Sequence, residues 1–225
     1  MEIRYLGHAA FELTHDGVTV LIDPFLTGNP KAAASADELA ADAVLVTHGH
    51  GDHVGDTAAI AKRTGATVVA ITELAHELAE DGLENVFDPN LGGTVSLDWG
   101  AVKVVPAWHT STTPKGTVNT PAGLIVTLGG QTVYHLGDTA LFGDLELIGR
   151  RHPVDVALMC IGGHYTMDRH DAVEAARMIG ARQVIPCHYD TFPAIQTDAH
   201  AFKSDVENAG AGEVVVLAPG ARHAP

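Results

Sequence analysis

An α/β protein built as an αββα sandwich, two stacked mixed sheets with helices on the outer faces, is what this 225-residue sequence predicts. Two observations carry the prediction. Each half of the chain opens with short strand-like runs set off by turn residues. Each half then passes into strands that alternate with helices. A chain halved in this way buries its apolar faces by stacking two sheets and covering them with helices. No linker-like or low-complexity stretch interrupts it, so residues 1–225 read as one domain.

The elements follow in order. "EIRYL", "AFELTH" and "VTVLID" are three short strands, and "HDGV" between the second and third is a hairpin signal. Residues 35–42, "SADELAAD", predict a short helix with Ser35 as N-cap and Glu38 closing a capping box. "AVLV" is a brief all-apolar run of the kind buried on both faces of a sheet, and it leads straight into "THGHGDH". "VGDTAAIAKRTG" predicts a helix ended by Gly65. "TVVAI" is then a strand and "ELAHELAEDG" a helix. The β pattern returns with "TVSLD", "VKVVPAW", "AGLIVTLGG" and "QTVYHLGD", the last two joined as a hairpin through "GGQT". The helix "LFGDLELIGRR", the strand "DVALMCI", the helix "DAVEAARMIGA", the strand "QVIPCH", a helix near 198–209 and a final strand "EVVVLAP" complete the chain.

Composition narrows the function. The net charge is −15, from 28 acidic and 13 basic residues. Such a surface repels phosphate backbones, and no Lys/Arg cluster offsets it, so nucleic acid is not an expected partner. Lys62-Arg63 and Arg150-Arg151 are placed to complement helix dipoles at C-terminal ends. Cys160 and Cys187 each sit beside an apolar run and read as reduced, buried thiols rather than a disulfide framework. No apolar run approaches the roughly 18 residues that span a bilayer, and "MEIRYLGHAAFEL" lacks the pattern of a signal peptide. The expectation is a cytoplasmic, soluble protein without a membrane partner. A homo-oligomer is compatible with this surface.

The chemistry concentrates in "THGHGDH", Thr47 to His53, where three histidines and an aspartate lie within six residues. The loop follows a buried strand, and loops at strand ends carry ligand-binding side chains on a rigid scaffold. His48 and His50 are two apart and share one side of an extended segment. Asp52 and His53 follow where the loop turns into a helix, and Gly49 and Gly51 leave space beside them. His109, Asp138 and His188 recur at the ends of later strands. Together they make seven ligands: His48, His50 and His109 for one metal, Asp52, His53 and His188 for another, and Asp138 between them. This N/O set suits Zn or Mn, and also Fe or Ni. An aspartate bridge holds two ions at roughly 3.5–4 Å, the spacing of two-metal hydrolytic sites.

The HxHxDH pattern at 48–53, with His109, Asp138 and His188 in that order, resembles the metallo-β-lactamase superfamily over nearly the whole chain. "RYLGHAAFEL", "LIDPFLTGNP" and "GGHYTMDRHDA" narrow the resemblance to the UPF0173 group of metal-dependent hydrolases, relatives of the ascorbate-6-phosphate lactonase type. The resemblance implies two divalent metal ions and a small-molecule substrate. It also implies Asp23 as a carboxylate behind a metal-bound histidine.

The expected function is hydrolysis of a small ester, lactone or phosphoester by a hydroxide bridging two metals. Asp52 is both a ligand and an acceptor for the water proton. His8 and His164 lie in loops after predicted strands and are expected to line the pocket and donate to substrate or a developing oxyanion. Asp168 and His170 carry a weaker signal, with Asp171 as the expected N-cap of the following helix. His15, His76, His152, His200 and His223 have no motif around them and read as surface residues. Lys115 and Arg169 are the only cations near the motif loops to anchor a phosphate. The alternatives are a phosphodiesterase or nuclease, a single-iron sulfur dioxygenase-like enzyme, and a non-catalytic metal-binding scaffold. Histidine at position 50, where flavin-linked di-iron members carry an acid, argues against that redox branch.

Overall fold

The computed structural model describes residues 1–225 and stacks two sheets of seven strands each. The first contains β1 (Glu2–Gly7), β2 (Ala10–His15), β3 (Val18–Ile22), β4 (Ala43–Leu45), β5 (Thr67–Val69) and β6 (Val86–Phe87). The second contains β7 (Thr94–Leu97), β8 (Gly100–Pro106), β9 (Ala122–Leu128), β10 (Gln131–His135), β11 (Val156–Cys160), β12 (Gln183–Cys187) and β13 (Glu213–Val214). β14 (Arg222–His223) returns to pair with β1 at the edge of the first sheet. In both sheets antiparallel neighbours give way to parallel ones, at β3–β4 and at β10–β11. The αββα sandwich and its mixed sheets are therefore observed.

Period-2 alternation builds the layers. On β9, Leu124, Val126 and Leu128 face the core that spans both sheets, whereas Ile125 faces the outer one. β11 divides the same way, Val156 and Leu158 inward, Ala157 and Met159 outward. Helices α2 (Thr57–Thr64) and α3 (Thr72–Glu80) cover the first sheet through Ile60, Leu74 and Leu78. Helices α4 (Asp144–Arg151), α5 (Arg169–Ile179) and α6 (Ala199–Asn208) cover the second. Gly149 is required where α4 meets the end of α5, because a Cβ there would lie 2.1 Å from the Ile179 carbonyl oxygen.

Both expected hairpins form. Asp16 and Gly17 have φ of 46° and 84°, and Gly129 and Gly130 have 59° and 75°, the two positive values a twisted two-residue hairpin demands. The basic pairs also stand in the last turns of α2 and α4.

Four expectations change. Residues 35–42 form a single turn, not a helix. The Ser35–Glu38 contact is made, but the Arg63 guanidinium takes the carbonyls of Ala36 and Leu39. The helix expected from Val54 is broken into α1 (Gly51–Val54) and α2. At the break Gly55 has φ 41°, and a Cβ would lie 2.5 Å from the Pro24 oxygen. The N-cap of α5 is Asp168, which accepts from the backbone N–H of His170 and Asp171; Asp171 lies inside the helix. Finally, the last strand shortens to Glu213–Val214, and the tail crosses to the other sheet, so His223 is a strand residue bonded to Gln183.

Candidate metal centre

The site follows from strand direction. β1, β3 and β4 end at one rim of the first sheet, and β8, β10 and β12 end at the same rim of the second. Those ends deliver His8, Asp23 and His48, then His109, Asp138 and His188. α1 turns Asp52 and His53 inward beside them. Backbone geometry concentrates there too: of the six non-glycine residues with positive φ, His8, Asp23, His188 and Asp190 belong to these loops, and His164 to the loop after β11. Such conformations cost of order 1–3 kcal/mol each and cluster at functional sites.

Two groups of potential ligand atoms result, each within 4.8 Å of one another: His48, His50, His109 and Asp138, and His8, Asp52, His53 and His188. Asp138 reaches both. Its Oδ2 lies 3.5 Å from His109 Nε2 and 3.9 Å from His48 Nε2, and 3.1 Å from His188 Nε2. Its Oδ1 lies 3.3 Å from His53 Nε2. The seven residues singled out in sequence are thus brought together, with His8 as an addition.

These residues fit a bound cation. His53 Nε2, Asp138 Oδ1 and His188 Nε2 are buried and lack a hydrogen-bond partner despite their short mutual distances. Atoms left unpaired in this way carry a large desolvation penalty. Three carboxylates, those of Asp23, Asp52 and Asp138, converge here, and no lysine or arginine lines the cleft. Burial acts to raise the Asp138 carboxyl, but His188 and His53 outweigh it and hold it well below its usual range. Burial similarly opposes protonation of His53, and the flanking Asp138 and Asp23 reverse the effect and raise it. Burial lowers His48 and His109. Burial thus favours the neutral form of His48 and His109, the form that ligates metals.

The supporting shell is dense. Asp23 is fully buried. Its Oδ2 accepts from His53 Nδ1 at 2.8 Å and Thr47 Oγ1 at 2.7 Å, and its Oδ1 accepts from the Thr47 N–H at 2.8 Å. This pins the strand-to-loop step and leaves His53 Nε2 aimed at the centre. The Gly49 N–H is held by Ser111 Oγ and Asn119 Oδ1 at 2.8 and 3.0 Å. A Cβ at Gly49 would meet Asn119 Nδ2 at 2.3 Å and Thr113 Cγ2 at 2.8 Å, so any larger residue would displace the side chains that hold this loop. His135 fixes the turn before Asp138, pairing through Nε2 with the Ala9 carbonyl and accepting the Gly137 N–H.

Two expectations are corrected. His8 is fully buried and does not line the cleft. It pairs with Asp52 Oδ2 at 3.2 Å and Thr191 Oγ1 at 2.9 Å, and burial pushes its pKa down to about 4. Burial tends to raise the Asp52 carboxyl, but the hydrogen bond from His8 and the proximity of His53 prevail and lower it. His164 is exposed and packs edge-on against Tyr165 at 4.5 Å; Tyr165, one residue on, lines the cleft in its place. Lys115 and Arg169 do not reach the site, because they pair with Asp81 and Asp205. His170 is exposed on α5, two residues beyond the Asp168 cap, and lines no cleft. Sequence reasoning passed over Thr47, Ser111, Asn119, Thr191, Tyr165 and Phe192. Thr47 and Tyr165 adjoin flagged residues, which is a usable signal. Ser111 and Asn119 carry none, since only the fold brings their loop against Gly49.

The cleft above the centre has a volume of about 470 Å³. Gly51, Thr110, Tyr165 and Phe192 complete its lining around His50, Asp52, His109, Asp138 and His188.

A fold of two stacked sheets with a histidine- and aspartate-rich centre at one rim defines a class of metal-binding proteins. Residues 2–188 match the beta-lactamase superfamily domain family. A UPF0173 metal-dependent hydrolase of Methanopyrus kandleri is 50% identical over 225 residues, covering 98% of each chain. One from Thermus thermophilus is 47% identical over 221 residues, covering 98% of this chain and 97% of the relative. The structure of a metallo hydrolase from the hyperthermophilic archaeon Ignicoccus hospitalis superposes with a TM-score of 0.90 at 37% identity, covering 99% and 97% of the two chains. The chain belongs to the metallo-β-lactamase superfamily and, within it, to the UPF0173 group of metal-dependent hydrolases.

Proposed function

We propose that this hydrolase uses two divalent ions, Zn or Mn, to cleave a small ester, lactone or phosphoester. The observation that carries the reading is Asp138, whose carboxylate contacts histidines of both ligand groups. His48, His50 and His109 would hold one ion, Asp52, His53 and His188 the other, with Asp138 shared. When bound, such ions supply Lewis acidity and lower the pKa of water from 15.7 to about 7 in the zinc reference case. Asp52 is held ionised by His8, ready to accept a proton from the attacking water. Thr191 fixes the other face of the His8 ring, and Asp23 fixes His53. The reading includes a cytoplasmic setting, supported by two free buried cysteines.

Elemental analysis of protein purified without added metal, alongside His48→Ala and Asp138→Ala, tests the reading. About two equivalents of metal are expected in the wild type, with a marked loss in both variants. About one equivalent of iron would point to the oxygenase branch. No metal in an intact fold that resists reconstitution would sink the enzymatic mechanism.

A further inference from the structure

The cleft is asymmetric in its chemistry. Every histidine and aspartate that lines it is a candidate ligand, and the other lining residues, Gly51, Thr110, Tyr165 and Phe192, are uncharged. Tyr165 and Phe192 form the walls and Thr110 adds one hydroxyl. Tyr165 is 57% exposed, so much of its ring is open to an incoming group.

The Tyr165 backbone and the Phe192 ring are held in place. The Tyr165 loop is closed by a Thr166 N–H to Gly163 O bond and by a Gly163 N–H to Met167 O bond. Met167 N–H donates to Thr139 O, beside Asp138, so this loop is tied to the centre itself. Phe192 packs edge-on against the His8 ring with centroids 5.5 Å apart, and Pro193 opens a short 3-10 turn directly after it. An aromatic surface that is rigid before binding costs little ordering entropy when an apolar group lands on it.

The two cations nearest the motif loops in sequence are spoken for, and Lys31 lines a separate pocket with Tyr189 and Asp190. Lys115 pairs with Asp81 and also faces Glu77 and Glu80. Arg169 pairs with Asp205 across α5 and α6 at 3.0 Å. A substrate carrying a phosphate apart from its reactive bond would find no partner for it, and the −15 net charge would repel it. A desolvated, unpaired phosphate is costly.

Resting on the hydrolase reading above, we infer that the substrate is a neutral ester or lactone whose apolar or aromatic substituent lies between Tyr165 and Phe192, and that these two residues set its specificity. A phosphorylated lactone or a phosphomonoester does not match this cleft. Among the three bond types the centre can serve, the walls select the uncharged acyl ones.

The test uses the metal-loaded, full-length enzyme with γ-butyrolactone, γ-octanolactone, 4-nitrophenyl butyrate, 4-nitrophenyl phosphate and bis(4-nitrophenyl) phosphate. Calorimetric titration with γ-octalactam, an unreactive mimic of the longer lactone, supplies a readout independent of turnover. The expected result is a higher kcat/KM for γ-octanolactone than for γ-butyrolactone, and for 4-nitrophenyl butyrate than for either phosphate. Tyr165→Ala and Phe192→Ala should each weaken lactam binding roughly fivefold, the scale of one lost aromatic contact, and should shrink the advantage of the longer lactone through KM. Faster turnover of a phosphate probe, or a chain-length advantage and lactam affinity unchanged in both variants, would overturn the inference. Absence of turnover on every probe would overturn the hydrolase reading instead, and the lactam titration would still decide this one.

Discussion

Asp23 shows how much one side chain settles. It accepts three hydrogen bonds through two oxygens, from Thr47 N–H, Thr47 Oγ1 and His53 Nδ1. An asparagine has one acceptor oxygen, so whichever way its amide turns, an N–H₂ faces a donor. Asp23→Asn should therefore lower metal affinity or activity by 10–100-fold, the usual cost of losing a carboxylate behind a ligating histidine. Competition against a chromophoric chelator measures it, and affinity within a factor of two of the wild type would refute the role. His8 acts likewise on Asp52. From sequence it looked like a pocket residue, because its loop follows a strand. Its burial depends on Phe25, Phe192 and Thr191 closing over it, and the contact with Thr191 alone spans 183 positions in the chain.

Strand ends and helix starts organise the middle scale. Most strands were legible because their apolar periodicity is local, and both hairpins because their turn residues are specific. The misreadings came where distant groups competed. Arg63 claims the carbonyls a helix at 35–42 would have used, and the Pro24–Phe25 backbone presses on Gly55 and splits the next helix. At α5 the cap itself can be tested. The Asp171 N–H foremost, opposed by burial and assisted by the His170 N–H, holds the Asp168 carboxyl below its ordinary value of 3.8. Because the folded pKa is depressed, the cap's contribution is complete above 3.8 and is lost as pH falls through the folded value. Asp168→Ala should cost about 1 kcal/mol at pH 7, with the gap to wild type narrowing below pH 3.8. Urea unfolding at several pH values checks this, and metal content should not change.

At the scale of the molecule, the metal centre joins the two sheets. His48 and His53 come from loops of the first, and His109, Asp138 and His188 from loops of the second. Ions held there would link the halves of the sandwich and stabilise the folded state by mass action. At a free metal concentration 100 times Kd the gain is about 2.7 kcal/mol per site, equivalent to roughly 5–10 °C in Tm for a chain of this size. Dialysis against a chelator should lower Tm by at least that amount, and adding back Zn or Mn should restore it. An unchanged Tm would show that the centre contributes nothing to folding stability.

Local patterns alone sufficed for the αββα class, most strand positions and the set of residues that converge on the rim. Those patterns depend on short-range physics: side-chain period, turn conformations, and the donor chemistry of histidine and aspartate. Tertiary structure alone decided that His8 is buried behind Asp52, that Tyr165 rather than His164 faces the cleft, that Ser111 and Asn119 hold Gly49, and that the tail pairs with β1. Each of these rests on a contact between segments far apart in the chain, where packing and hydrogen-bond competition leave no mark on neighbouring residues.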